Sequence, residues 1–170
     1  MSAGTPSLLY CHMEKFRAEV LETGNPRIKS ARIAIAAPSR VIFEVLANPY
    51  RHADFDGSGT LRGAITGPKR LYLGAKFGMD MKIKVNYRIL NTVVEFDEDH
   101  LIAWRHFGRH RWRYELQELT LSQTEVTETF DAREALFPPI LKLMRAYQKN
   151  QIAINKSLVS LKNLVETTYV

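Results

Sequence analysis

The segment Leu136–Thr168, LFPPILKLMRAYQKNQIAINKSLVSLKNLVETT, decides the fold. After Pro138 and Pro139 it contains no further proline and no glycine. Proline is tolerated in the first helical turn, where the N–H groups lack intrahelical partners anyway. Ile140, Met144, Tyr147, Ile154, Leu158, Leu161 and Val165 then recur at helical spacing, with Gln151 in the polar slot of the series. This predicts one amphipathic helix over the whole segment. Lys142, Arg145, Lys149, Asn150, Lys156 and Lys162 mark its opposite face. A helix of about 30 residues rises about 45 Å. Alone in water it has no surface on which to bury its apolar stripe, so the chain upstream must supply one.

The upstream pattern is mostly of period two. Ser30–Ala36 alternates, with Ala31, Ile33 and Ile35 on one parity. Thr60–Thr66 reads as a second strand turned by Gly67-Pro68, and Lys76–Lys84 as a third, with Phe77, Met79, Met81 and Ile83 on one face. Asn86–Phe96, Leu101–Phe107, Arg111–Leu119 and Thr124–Ala132 follow, separated by short polar turns. Strands spaced about ten residues apart with short turns argue for an antiparallel meander. One apolar and one charged face on each strand is the pattern of a sheet covered on one side only. Between the first two strands, Ser39–Ala47 has helical spacing behind Pro38 and stops at Asn48-Pro49, and Tyr50–Phe55 adds a further turn or two. Residues 1–26 read as an arm, helical over Met13–Val20 or else frayed, and residues 27–170 as a single domain.

Composition bounds the function. The chain has 170 residues, 45% apolar and 25% charged, an ordinary globular balance. Cys11 is the only cysteine, which excludes an intramolecular disulfide and a cysteine-based zinc site. No apolar run approaches the length of a membrane span. The first residues carry neither the basic nor the apolar region of a secretory leader, so the cytoplasm is the expected address. The net charge of +6 permits contact with nucleic acid or an anionic surface without demanding it.

The order strand, helix, helix, six strands, long helix resembles a known group. The stretch Arg32–Tyr50, RIAIAAPSRVIFEVLANPY, is similar to the opening of the START-like or SRPBCC superfamily, which includes polyketide cyclases/dehydrases and lipid-transport proteins. Leu73–Phe77, Val93–Asp97, Leu101–Arg105 and Thr124–Phe130 extend the resemblance over roughly residues 28–165. It implies an α+β helix-grip fold: a seven-stranded curved antiparallel sheet wrapped around a long C-terminal helix, with a cavity between them. The ligand expected in that cavity is apolar, and no cofactor is expected.

The lining of such a cavity would come from Phe77, Met79 and Met81 on one strand and Trp112 and Tyr114 on another, with Tyr87 and Trp104 beside them. Methionines and aromatics make an adaptable wall for a flat or greasy molecule, although the same residues also fill ordinary cores. Ile140, Met144 and Tyr147 would form a lid from the first half of the long helix, and its second half a clamp. Glu128 shares parity with Val126 and Phe130, so strict alternation turns it inward, where a carboxyl needs a partner or a raised pKa. A bulge or a one-residue shift would turn Thr127 and Thr129 inward instead. Asn91 and Thr92 pose the same question. Phe55 would dip into the mouth of the cavity from a loop made flexible by Gly57 and Gly59.

Two other clusters have different readings. Arg105–Arg113, RHFGRHRWR, could hold phosphate, RNA or an acidic headgroup, or serve as a solvated hairpin whose edge is protected by charge. No RNP, KH or zinc motif accompanies it, so no nucleic-acid partner is expected. His52, Asp54 and Asp56 alternate like cation ligands but lack the spacing of a calcium loop, and no metal is assigned. No hydrolase, zincin, P-loop or dinucleotide motif occurs. The leading expectation is a carrier or sequestering protein for a small hydrophobic molecule. The alternatives are a polyketide cyclase or aromatase using Glu128, Tyr114 or Tyr87 as acid/base, and an RNA- or protein-binding adaptor acting through residues 105–113. A homodimer is left open.

Overall fold

Alternation along the strands sorts the side chains to two faces. In β2 (Ile28–Ile35) Ala31, Ile33 and Ile35 are buried, and in β7 (Gln123–Asp131) Thr124, Val126, Glu128 and Phe130 are. The structure, a computed structural model, describes residues 17–61, 66–82 and 86–169. Its remaining strands are β1 (Glu19–Leu21), β3 (Lys76–Lys82), β4 (Asn86–Asp97), β5 (Leu101–Arg105) and β6 (Arg111–Thr120). All seven form one antiparallel sheet in the order β1-β2-β7-β6-β5-β4-β3. Register shifts at Val93/Glu95 and Glu118/Thr120 bend and twist the sheet into a curve, as bulges do.

Between β2 and β3 lie α1 (Ser39–Ala47), a 3-10 turn at Pro49–Arg51 and α2 (His52–Phe55). The Asn48 side chain accepts from Tyr50 N and starts the 3-10 turn. The segment after β7 forms α3 (Pro138–Leu143) and α4 (Ala146–Tyr169). Helix α4 lies across β2 and β7 and buries Ala153, Ile154, Leu158, Leu161 and Val165 against the inner face of the sheet. The fold is the helix-grip arrangement expected from the sequence.

Three sequence expectations need correction. The single helix over Leu136–Thr168 is two helices. Arg145 has a left-handed backbone, φ 53°, which a non-glycine residue adopts at a cost of about 1–2 kcal/mol. Upstream, Leu136 N donates to Gly108 O at 3.1 Å, tying the start of the segment to the β5–β6 turn.

Secondly, Glu19 and Val20 belong to a strand, not to a helix, and pair with Arg32 and Ala31 of β2. Residues 13–16 and Cys11 lie outside the described residues. Thirdly, the seventh strand of the sheet is β1. Of the expected strand Thr60–Thr66, only Leu61 and Thr66 are seen pairing, as isolated bridges to Met81 and Gly78, and 62–65 lie outside the described residues.

The outer face of the sheet is an ion-pair surface. Arg113 meets Glu95 at 3.0 Å, Arg111 meets the same carboxylate, Arg105 meets Glu134 at 3.3 Å, and Arg32 meets Glu19 at 2.8 Å. Three of the arginines in the basic stretch 105–113 are therefore already matched by carboxylates.

Candidate functional site

Strands β3 to β7 and α2 bring five aromatic rings and one carboxyl to the inner face. Trp104 of β5 stacks on His52 of α2 (4.8 Å between centroids, 19° between planes) and on Tyr114 of β6 (5.5 Å, 29°). Phe77 of β3 meets His52 and Trp104 edge-on at 5.6 and 5.7 Å. Phe55 meets His52 and Tyr114 edge-on at 5.6 and 6.4 Å. Such offset and edge-to-face arrangements suit the ring quadrupoles.

Glu128 lies directly across from Tyr114 on β6 and Ala31 on β2 and is buried, so the strict-alternation parity holds. Burial pushes its carboxyl up to about 8; the Tyr114 hydroxyl works against that by hydrogen bonding, and the nearby negative charge of Asp56 adds to it. Burial, then Glu128 itself, raises the Tyr114 phenol well above its ordinary range. Glu128 is therefore mostly protonated at neutral pH, a carboxylic acid rather than a carboxylate.

His52 has a fixed tautomer. Its Nε2 lies 2.8 Å from the Leu46 carbonyl. A carbonyl only accepts, so Nε2 carries the hydrogen and Nδ1 keeps its lone pair. Burial lowers the ring pKa to about 4, so the imidazole is neutral. Asn91 of β4 sits across from Phe77, also buried. Three buried polar atoms, His52 Nδ1, Asn91 Nδ2 and Glu128 Oε2, have no hydrogen-bond partner among the described residues. Such groups are uncommon in folded proteins, and each costs about 1–3 kcal/mol if left unpaired.

Of the residues singled out from the sequence, Phe55, Phe77, Trp104, Tyr114 and Glu128 come together here, and Met79 is buried in the same core. Trp112 and Tyr147 are half-buried around Phe130, at 5.1 and 6.4 Å, in a second aromatic group. Met81 is half-buried, while Tyr87, Ile140 and Met144 are exposed. His52 was considered in the sequence only as a cation ligand. Its spacing three before Phe55, on one helical face, was the available signal for an inward position.

The loop after α2 is pinned rather than loose. Gly57 N donates to Ser157 Oγ at 2.9 Å. A Cβ at Gly57 would stand 2.2 Å from Ala153 O, so glycine there permits close contact with α4 instead of motion. Gly59, with φ +63° and open space around it, is the position that uses glycine's conformational freedom. Asp54 pairs with Arg51 at 2.5 Å and Asp56 accepts from Ser58 N and Leu61 N, so the alternating His and Asp side chains do not converge. No group of three or more His, Cys, Asp or Glu that could hold a metal occurs among the described residues.

Known proteins resemble the chain at two levels. No protein-family model matches it. The uncharacterized protein Rv0088 of Mycobacterium tuberculosis is 41% identical over 117 residues, 68% of this chain and 52% of that protein. The chain thus spans about half the length of the curated relatives it matches. Among solved structures, the Zhui aromatase/cyclase of a Streptomyces species superposes with a TM-score of 0.61 at 16% identity, covering 82% of this chain and 93% of that one. The polyketide cyclase-like protein Cgl2372 of Corynebacterium glutamicum gives 0.56 at 16% identity, covering 82% and 91%. At such identities the likeness is one of fold, and it agrees with the strand order, the curved sheet and the C-terminal helix. The chain has the helix-grip fold seen in those solved structures.

Proposed function

We propose that the chain binds a small, flat, largely apolar molecule carrying a hydroxyl and a carbonyl group, held between the inner face of the sheet, α2 and α4. The observation that carries this reading is the set of three buried polar atoms without partners beside a buried ring stack. His52 Nδ1 can only accept, and Asn91 Nδ2 can only donate. Protonated Glu128 can donate to a carbonyl. A ligand with matching groups satisfies all three, and its rings add about 25 cal/mol per Å² of apolar surface removed from water. Phe55 covers Tyr114 and His52, so entry moves α2 outward while Gly57 stays against α4. This reading makes the chain a cytoplasmic carrier or a sequestering protein.

The test is native mass spectrometry with thermal shift against a panel of hydroxylated aromatic ketones, fatty acids and plain hydrocarbons of equal size. Hydroxy-ketones are expected to raise the melting temperature, and Asn91→Leu to reduce that shift. No bound mass and no shift across the panel would sink the reading.

The same residues support a second reading, a cyclase or aromatase-type enzyme. A carboxylic acid that keeps its proton at pH 7 and a neutral imidazole with a free lone pair make a general acid and a general base in one apolar site. Glu128→Gln is then expected to retain binding and lose turnover by a factor of about 10² or more. Unchanged turnover in that variant removes Glu128 from the chemistry.

A further inference from the structure

We propose that α3 and the β5–β6 turn form one docking surface for an anionic lipid bilayer. The surface is contiguous, because the Leu136 N–Gly108 O hydrogen bond joins the start of the α3 segment to the turn. It is unusually apolar for an exposed surface. Leu143 is 85% and Phe107 76% exposed, and Leu136, Phe137, Ile140 and Met144 are each about half exposed. Helix α3 fully buries none of its side chains.

It is also cationic. Arg109, Lys142, Arg145 and Lys149 are exposed and have no ionic partner among the described residues. From Ala135 to Val165 the chain contains no Asp or Glu at all. Glu134, the nearest acid upstream, is engaged by Arg105. The left-handed residue Arg145 separates α3 from α4, and α3 packs Leu141 against the core while Ile140 and Leu143 stay exposed.

Charge selects among occupants. A second copy of the chain across a two-fold axis would set Lys142, Arg145 and Lys149 against the same residues of its mate, an arrangement of like charges in an apolar contact. A nucleic acid would use the cations but leave Leu143, Ile140 and Leu136 in water, since aliphatic side chains offer bases no stacking face. A bilayer with anionic lipids uses both: apolar side chains enter the headgroup–acyl boundary while the basic ones meet lipid phosphates and carboxylates. Each cation near such a surface contributes roughly a fivefold factor in affinity. The inference stands whether or not a ligand occupies the ring-lined interior.

Flotation of the full chain with vesicles tests it, comparing phosphatidylcholine alone with phosphatidylcholine–phosphatidylserine mixtures. Binding is expected on the mixed vesicles, weakening as salt is raised, and scarcely on phosphatidylcholine. Phe107→Asp with Leu143→Asp should lower mixed-vesicle affinity more than about tenfold at an unchanged melting temperature. Lys142→Gln with Lys149→Gln should lower it about 25-fold. Absence of flotation with mixed vesicles overturns the inference. So does a drop in melting temperature or loss of a dimer in the double-Asp variant, which would mean that the chain itself or a second copy covers the patch. Retention on RNA that depends on the lysines but ignores both aspartates would point to nucleic acid instead.

Discussion

Helix α4 buries Ile154, Leu158, Leu161 and Val165 against β2 and β7, whereas α3, two residues upstream, leaves Ile140 and Leu143 in solvent. One cation of α4 also differs from those of α3. Lys162 of α4 is buried, its ammonium donating to Ala34 O at 2.9 Å and to Glu166 at 2.6 Å. Lys142 and Arg145, in and just after α3, stay in water. What separates the helices is the surface beneath them. Helix α4 lies on the curve of the sheet, where its stripe meets inward-facing side chains. Helix α3 packs Leu141 against the core but not Ile140 or Leu143, and a backbone hydrogen bond links the chain just before it to a hairpin turn. An apolar stripe is an offer of burial, and the tertiary fold decides whether anything accepts it.

The largest test of this contrast is a pair of truncations. Leu158→Ala should lower unfolding free energy by about 2–5 kcal/mol, the range for a fully buried leucine. Leu143→Ala should stay within about 0.5 kcal/mol. Urea denaturation of both variants decides, and a cost at Leu143 equal to that at Leu158 would erase the distinction.

Next in size is a pH effect confined to the interior. The Glu128 pKa is raised in the fold from its ordinary 4.5 to about 8. The folded state therefore holds a proton that the unfolded state has released, so this group's contribution to stability falls as pH rises from 4.5 to 8. His52 and His110 behave oppositely. Burial lowers each from 6.5 to about 4, helped at His110 by the neighbouring His106, so their contributions are lost as pH falls through that window. Stability should therefore peak near pH 6.5. Between 6.5 and 8 the wild-type chain should lose about 2 kcal/mol through Glu128, and Glu128→Gln should lose none of it. Chemical denaturation across this range measures both, and an equal slope in the variant would contradict the assignment.

The smallest effect concerns the joint between the helices. Arg145→Gly removes the side-chain penalty of a left-handed residue and should stabilise the chain by up to about 1 kcal/mol. A loss of stability would mean that the bend is not an intrinsic cost carried by residue 145.

Much of this architecture is visible in local patterns. Ala31, Ile33 and Ile35, like Trp112, Tyr114 and Leu116, announce their strands by alternation. Ile154, Leu158, Leu161 and Val165 announce their helix by 3.6-residue spacing. The candidate site was legible only in part. Phe55, Phe77, Trp104, Tyr114 and Glu128 converge, but Ile140 and Met144 share their helix's pattern without sharing its burial. A repeat of apolar residues states which side chains lie on one face and not what that face meets.

The sequence by itself determined a meander of strands followed by a C-terminal helix, the apolar and charged faces of most strands, and the absence of any cysteine pair. These follow from periodicity and composition, which act over a few neighbouring residues. The tertiary structure alone decided the break at Arg145 and the recruitment of Glu19–Leu21 as the edge strand, and it chose between the two parities that the sequence left open for Glu128. It also decided the chemistry of His52, whose hydrogen is fixed by the Leu46 carbonyl and whose ring lies on Trp104. Those outcomes depend on contacts between segments distant in the chain. A side chain's tautomer and protonation follow from what folding brings against it, and no local spacing encodes that.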